Sequence, residues 1–182
     1  MNGQALDFWT HLLRLPGFVV VHCEDNADQR RYAFTVAPEH RIGVCPHCQE
    51  VSDKVHQTRT RESIKDLPIS HYGVDLKVRV PQFACARCGC RFTPPIPFLV
   101  EGAHATERFL ERSAASIRSS DVANAAVFYG VPERTLGTWY YDYLQRRQPG
   151  GDQPPKPIRR IGIDELSLKK TSAVRGRDCR SR

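Results

Sequence analysis

Apolar residues recur at helical spacing near the start of the chain and at alternating spacing soon after it. The first pattern predicts a helix over residues 6–15, ended by Pro16 and Gly17. The residues of its apolar face are Leu6, Trp9, Leu12 and Leu13. Two strand-like runs follow, at residues 18–23 and 31–37, and the polar stretch between them suits a hairpin. These elements are predicted to form a scaffold.

The clearest alternation lies over residues 74–80. Its apolar side consists of Val74, Leu76, Val78 and Val80, and its polar side of Asp75, Lys77 and Arg79. This period of two predicts a half-buried strand. The proline-rich stretch 93–98 cannot continue a helix or a central strand, so it is predicted to be an extended exit from the strand region.

From Thr106 to about Arg147 the apolar period becomes helical. The first helix of this block, residues 106–117, is predicted to bury Phe109, Leu110, Ala114 and Ile117. Residues 119–144 fit a helix-turn-helix, in which two helices are joined by a short turn. The expected elements are a cap at Ser119 or Ser120, a helix through Phe128, small Ala123 at the helix crossing, a left-handed turn at Gly130 and a new helix from Pro132.

The last helix of this block has two different faces. Leu136, Trp139, Tyr140 and Tyr143 are predicted to face the core. The opposite face would enter a DNA major groove or meet phosphates, and it carries Arg134, Thr135, Thr138 and Tyr141. Arg146 and Arg147 would supply further phosphate contacts. Small three-helix units also occur as plain packing modules, so this pattern alone leaves DNA binding and simple packing both open.

Charge changes this picture little. The chain has a formal net charge of +7, but residues 1–143 hold 16 Lys/Arg and 16 Asp/Glu, so the excess lies in the C-terminal fifth. A basic tail is often only a solvated segment. The chain has no apolar run long enough for a membrane span and no signal peptide pattern, so we expect a cytoplasmic protein without membrane association.

Seven cysteines in a cytoplasmic chain require an explanation other than disulfides. Cys45 and Cys48 form one pair separated by two residues, and Cys85 and Cys88 form another. Two such pairs supply the four thiolates that a structural Zn²⁺ binds tetrahedrally. The strands between the pairs must then bring the two knuckles together. Zinc would also stabilise a module whose apolar core is small.

Several cysteine alternatives stay open at this level. A redox pair would need a βαβ pattern beside it, and none is evident. Cys90 could replace Cys88 as a ligand, although a packed spare cysteine is favoured, and His47 is not expected to be a fifth donor. Cys23 is interpreted as a small buried hydrophobe and Cys179 as an exposed thiol.

After the linker at residues 148–158 stands the motif "IGIDE", a strand pattern that ends in Asp164. Two-metal nucleotidyl transfer needs carboxylates held in this way to bind divalent ions. One carboxylate is not sufficient, so the motif alone indicates only a strand end.

The order of these motifs is informative. "CPHC", "VSDKVHQTRTRESIKDLP", a strand, "FACARCGCRFT", a three-helix unit and "IGIDE" together resemble transposases of bacterial insertion sequences in the ISL-three group. The resemblance covers about residues 5–170. It implies a zinc ribbon and helix-turn-helix that bind terminal inverted repeats, followed by a ribonuclease-H-like DDE catalytic domain whose first acidic residue corresponds to Asp164.

We therefore expect an α+β multidomain chain that is C-terminally truncated after the first strand of its catalytic domain. The expected divisions are an N-terminal helix and hairpin (1–40), the zinc ribbon (41–100), the helix-turn-helix (104–147), the linker (148–158) and an incomplete DDE domain (159–182). Its predicted partner is double-stranded DNA, and a homodimer is left open. Zn²⁺ is structural, and Mg²⁺ would bind only in a complete catalytic domain. The alternative function is a transcriptional regulator or transposition inhibitor, and a weaker one is a zinc-ribbon module that binds protein.

Overall fold

A computed structural model describes residues 3–147 as one helix, then seven strands, then three further helices. Its elements are α1 (Gly3–Leu13), β1 (Phe18–Asn26), β2 (Arg31–Pro38), β3 (Gly43–Val44), β4 (Val51–Ser52), β5 (Val55–Ile69), β6 (Tyr72–Ala84), β7 (Arg91–Phe92), α2 (Glu107–Ser119), α3 (Val122–Tyr129) and α4 (Glu133–Arg147). The predicted α+β class is confirmed. No helix in residues 3–147 is long and apolar enough to cross a membrane.

The main sheet has the strand order β1-β2-β6-β5, and β7 adds to β6. The predicted hairpin of β1 and β2 is present and is antiparallel. β2 then pairs in parallel with β6, from Arg31 opposite Gly73 to Val36 opposite Val78. The segments 1–40 and 41–100, predicted as separate modules, thus contribute strands to one sheet.

β6 contains the strand predicted over residues 74–80 and extends it at both ends. Its four alternating apolar side chains are all buried. Its partner β5 is an antiparallel strand of 15 residues that the sequence pattern did not indicate. Residues 56–63 of β5 are all exposed, so this half of the strand has no apolar alternation to detect.

The core of the sheet lies under α1. The Trp9 ring lies 5.1 Å from the Phe34 ring and 5.4 Å from the Tyr32 ring, and Leu13 is buried. Leu12 is 47% exposed, although it was predicted to share the apolar face. Consecutive helical residues are about 100° apart, so with Leu13 directed at the sheet, Leu12 is turned towards solvent.

The three C-terminal helices share a second core. α2 buries Phe109, Leu110, Ala114 and Ile117 as predicted, and Ser113 in addition. Leu136 and Trp139 of α4 are buried, and Tyr140 and Tyr143 pack against the same cluster. Each of the three helices therefore contacts the other two.

Two local predictions for α3 are wrong. Its cap is Asp121, whose side chain accepts from the amide of Asn124 at 2.8 Å, and not Ser119 or Ser120. α2 runs on to Ser119, so both serines lie at its end rather than at the start of α3. The packing residues of α3 are likewise not Ala123, which is exposed, but the pair Ala125 and Ala126.

The turn between α3 and α4 follows the prediction. Gly130 has φ 61° and ψ 40°, the left-handed conformation that glycine adopts without steric cost. A Cβ at this position would lie 2.8 Å from the Nη2 of Arg31. That guanidinium donates to the Gly130 carbonyl at 3.2 Å and to Asp75 at 2.9 Å, so the turn is held against the sheet.

A second joint fixes α2 to β5. The Lys65 amide donates to the His104 carbonyl at 2.9 Å, and the Thr106 amide donates to the Lys65 carbonyl at 2.9 Å. Beside this short parallel bridge, the carboxylate of Asp66 is buried and accepts from Thr106 Oγ1 at 2.7 Å and from Arg108 Nε at 2.7 Å. The helices and the sheet are therefore connected by both backbone and side-chain bonds.

Candidate metal centre

Two turns of the same construction carry the four paired cysteines. In the first turn, the Cys45 amide donates to the Glu50 carbonyl at 2.9 Å and the Gln49 amide to the Cys45 carbonyl at 2.9 Å. The second turn repeats both bonds at the equivalent positions, from Cys85 to the Cys90 carbonyl and from Gly89 to the Cys85 carbonyl, at 2.9 and 3.0 Å. Each pair of cysteines therefore sits in an ordered knuckle.

The strands bring the two knuckles together although 36 residues separate them. Cys48 Sγ lies 3.5 Å from Cys85 Sγ and 3.6 Å from Cys88 Sγ, and Cys45 Sγ lies 3.6 Å from Cys88 Sγ. All four sulfurs lie within 4.8 Å of one another. A tetrahedron with Zn–S bonds of about 2.3 Å has edges of about 3.8 Å, whereas a disulfide would need about 2.05 Å. The spacing fits a shared metal ion.

Backbone amides and neighbouring sulfurs set the acidity of these thiols. Burial acts to raise the pKa of Cys45, but the amides of Cys48 and His47 and the thiol of Cys88 outweigh it and lower this pKa to about 6. The amide of Cys90 acts to lower the pKa of Cys88, but burial and the adjacent sulfurs raise it to about 12. Only some of the four thiols therefore ionise, because each further thiolate would form beside the negative charge of a neighbouring thiolate.

A divalent cation offsets the repulsion between neighbouring thiolates, so all four sulfurs can bind it as thiolates. The donor set of four cysteines with no carboxylate is that of a closed structural zinc site. Cys45, Cys48, Cys85 and Cys88 would hold the ion, and every ligand position is then filled by protein. The site binds structural Zn²⁺ and leaves no position for a substrate.

The alternatives for the other cysteines are also decided by the geometry. Cys90 lies outside the cluster and its thiol faces the Arg91 carbonyl at 3.8 Å, whereas the thiol of Cys88 belongs to the group of four that could hold a metal ion. His47 is not among the grouped ligands either. Cys23 is half-buried against the main core, and Cys179 lies outside the described residues.

A small aromatic core supports the zinc site. Phe83 is fully buried, Phe92 is nearly so, and their ring centroids are 5.7 Å apart. The chain passes close above them at Gly43, where a Cβ would lie 2.8 Å from Phe83 Cδ2 and 3.0 Å from Phe92 Cε2. This core joins β6 and β7 to the first knuckle.

The predicted DNA-reading residues lie on α4. Arg134, Thr138 and Tyr141 are exposed, and Thr135 is half-buried. Arg146 donates to the Glu101 carbonyl at 3.3 Å, and Arg147 pairs with Glu111 at 3.4 Å. Asp164 and the linker lie outside the described residues.

Sequence reasoning missed the residues that position these elements. Asp66 and Arg108 form the joint between sheet and helices, but a lone acid and a lone base 42 positions apart carry no local signal. The basic half of β5 was also missed, although its run of "HQTRTR" is visible as charged and hydroxyl side chains without any apolar partner.

Comparison with known proteins agrees with this site. Residues 41–88, which contain both knuckles, match the family model described as the zinc-finger of transposase IS204/IS1001/IS1096/IS1165. The chain is 26% identical over 141 residues to the transposase for insertion sequence element IS1001 of Bordetella parapertussis. That alignment covers 78% of this chain but 34% of the relative. No solved structure matches. The resemblance to transposases of the ISL-three group is confirmed.

Proposed function

We propose that this chain is the DNA-binding portion of an insertion-sequence transposase and that it recognises the terminal inverted repeats of its element. The observation that carries the proposal is the zinc centre: the four clustered thiols lie within the stretch that matches a transposase zinc finger. A closed metal site supplies no chemistry, so its contribution is to fix the strands that surround it.

Recognition is assigned to the face of α4 that the core leaves free. α3, the turn at Gly130 and α4 would form a helix-turn-helix, with α4 as the helix that enters the major groove. Arg134 can donate two hydrogen bonds to guanine, and the hydroxyls of Thr138 and Tyr141 can reach base edges or phosphates. Thr135 is half-buried and would contribute at the margin of this face.

Arg146 and Arg147 are proposed to contact phosphates at the end of α4. Both are exposed, and their present partners are a carbonyl at 3.3 Å and a carboxylate at 3.4 Å, which are weak surface contacts. DNA phosphates would compete with these partners readily.

Catalysis is assigned to the complete transposase. Asp164 is proposed as the first carboxylate of a DDE domain, with Mg²⁺ bound only where the remaining carboxylates of such a domain are present. We place the protein in the cytoplasm, where thiols stay reduced and available to zinc.

The test is selection of DNA by the zinc-loaded chain from a pool of random duplexes. The proposal expects enrichment of one sequence, and expects that sequence to lie in the terminal repeats of the encoding element. R134A combined with T138A should reduce the preference for that sequence by about tenfold or more, since a bidentate arginine contact discriminates bases by about 1–3 kcal/mol.

R118A is the control, because Arg118 is an exposed arginine of α2 and does not lie on α4. Failure to enrich any sequence would contradict the proposal. A nicking assay on the selected duplex, carried out with the complete natural protein, distinguishes a transposase from a transcriptional regulator. A regulator would bind the duplex without cleaving either strand.

A further inference from the structure

The outer edge of β5 carries an exposed basic stretch between Lys54 and Arg61. We propose that this basic edge is a second DNA-binding surface, which contacts the phosphate backbone of the duplex that α4 reads. The inference rests on the proposed function and deepens it, because it adds phosphate contacts from a different part of the fold to those proposed for Arg146 and Arg147.

β5 lies at the edge of the sheet. Its outer side is covered at Lys65, where residues 104–106 pair with it, and within residues 3–147 no strand pairs with that side between His56 and Ser63. Every residue from His56 to Ser63 is exposed. An open edge also presents backbone amides, which are common donors to phosphate.

Between residues 54 and 61 the charge on this edge has one sign, and the acidic residues Asp53 and Glu62 flank this run. Lys54, Arg59 and Arg61 lie in a run of eight residues, 54–61, that contains no Asp or Glu. Arg79 stands directly opposite Thr60 in the ladder with β6. In the part of the chain that the structure describes, none of these four cations forms an ion pair. Their charge is therefore available to a polyanion.

Hydroxyl groups alternate with these cations. Thr58 and Thr60 are exposed on the same strand and lie on the face that carries Arg79, whereas Arg59 and Arg61 lie on the opposite face. Both groups are usual phosphate ligands in protein–DNA interfaces. The stretch lacks large apolar side chains, which a protein-binding edge would be expected to present.

The helical block has little net positive charge with which to contact DNA phosphates. Residues 105–147 contain six arginines and five acidic residues, so the block is nearly neutral. Affinity for duplex DNA depends strongly on the number of phosphates that cations neutralise. A basic surface outside this block would therefore add phosphate contacts to those that Arg146 and Arg147 are proposed to make.

The position of the basic edge suits this role. The α3–α4 turn touches Arg31, which pairs with Gly73, and Arg79 lies six residues further along β6. At about 3.3 Å per residue, these two points are about 20 Å apart along the strand. This is less than the roughly 34 Å of one DNA helical turn, so one duplex can meet both surfaces.

The zinc centre anchors the strand at its start. The Ala84 amide donates to the Lys54 carbonyl at 2.9 Å, and Ser52 Oγ donates to the Ala84 carbonyl at 2.8 Å. Both bonds join the segment after the first knuckle to the one before the second. Zinc binding would thereby hold the first residues of the basic edge in place.

The experiment measures binding of the zinc-loaded full chain to a fluorescent 30-base-pair duplex of arbitrary sequence across a range of salt concentrations. R59Q combined with R61Q removes two charges from exposed positions. The expected result is a salt slope reduced by about two, and an affinity reduced on the order of tenfold or more at 0.1 M salt.

R30Q is the single-charge control, since Arg30 is an exposed residue of the β1–β2 turn at the other end of the sheet. It is compared with R59Q alone, and only R59Q should lower the slope. An unchanged slope in the R59Q/R61Q variant, or an equal reduction in R30Q, would overturn the basic edge while leaving recognition by α4 standing. If the unaltered chain binds no duplex at all, the proposed function fails with it.

Discussion

Arg108, in the first turn of α2, holds the carboxylate of Asp66 on β5 with two of its nitrogens. The Asp66 side chain is fully buried, while the Arg108 side chain is 35% exposed. The third contact of this arginine runs from Nη1 to the Leu13 carbonyl at 2.6 Å, at the end of α1. One side chain thus ties together the N-terminal helix, the sheet and the helical block.

Removing Arg108 should destabilise the protein strongly. In R108Q the buried Asp66 carboxylate keeps only Thr106 Oγ1 among its present side-chain donors, and an unpaired buried charge costs about 3–5 kcal/mol. Urea unfolding of the zinc-loaded protein would measure the change in the free energy of unfolding. R112Q removes an exposed arginine of the same helix and should have little effect. Equal stability of the two variants would argue against this joint.

Zinc content should depend on Cys88 and not on Cys90. C88S removes one of the four clustered thiols, so the zinc bound per chain should fall well below one. C90S removes a thiol that lies outside the cluster and should retain one zinc. Metal analysis of the two purified proteins checks this. Loss of zinc from C90S with retention in C88S would reverse the ligand assignment.

Substitution at Gly43 should destabilise the zinc module by crowding. In G43A the new methyl group would lie 2.8 Å from Phe83 and 3.0 Å from Phe92, and both rings are confined by the core. Overpacking of this kind costs about 1–3 kcal/mol. G3A is the control, because nothing lies within 4 Å of a Cβ at Gly3. Thermal unfolding should show a lower midpoint for G43A only.

Removing the cap of α3 should weaken the helical block. D121A loses the acceptor for the Asn124 amide, and the loss of an N-cap costs about 1 kcal/mol. S120A alters the neighbouring residue, which is not the cap, and should change the unfolding free energy by a few tenths of a kcal/mol at most. A larger effect for S120A than for D121A would favour the serine cap that the sequence pattern indicated.

Local sequence patterns were sufficient for several elements. The alternation of Val74, Leu76, Val78 and Val80 predicted the buried face of β6, and Gly130 predicted the left-handed turn. Both signals arise from neighbours within a few residues, through side-chain alternation or backbone φ. The cap of α3 was predicted one or two residues early, because Ser119, Ser120 and Asp121 are all good caps and only the length of α2 selects among them.

The sequence by itself determined the two cysteine knuckles, since the spacing within each cysteine pair is a local property that one turn satisfies. Only the tertiary structure decided that β2 pairs in parallel with β6, that Arg108 reaches Asp66, and that half of β5 is an open basic edge. The first two features join residues about 40 positions apart. The third depends on whether another strand pairs with the outer side of β5. No short-range periodicity encodes such relationships, because they are set by how the finished elements pack.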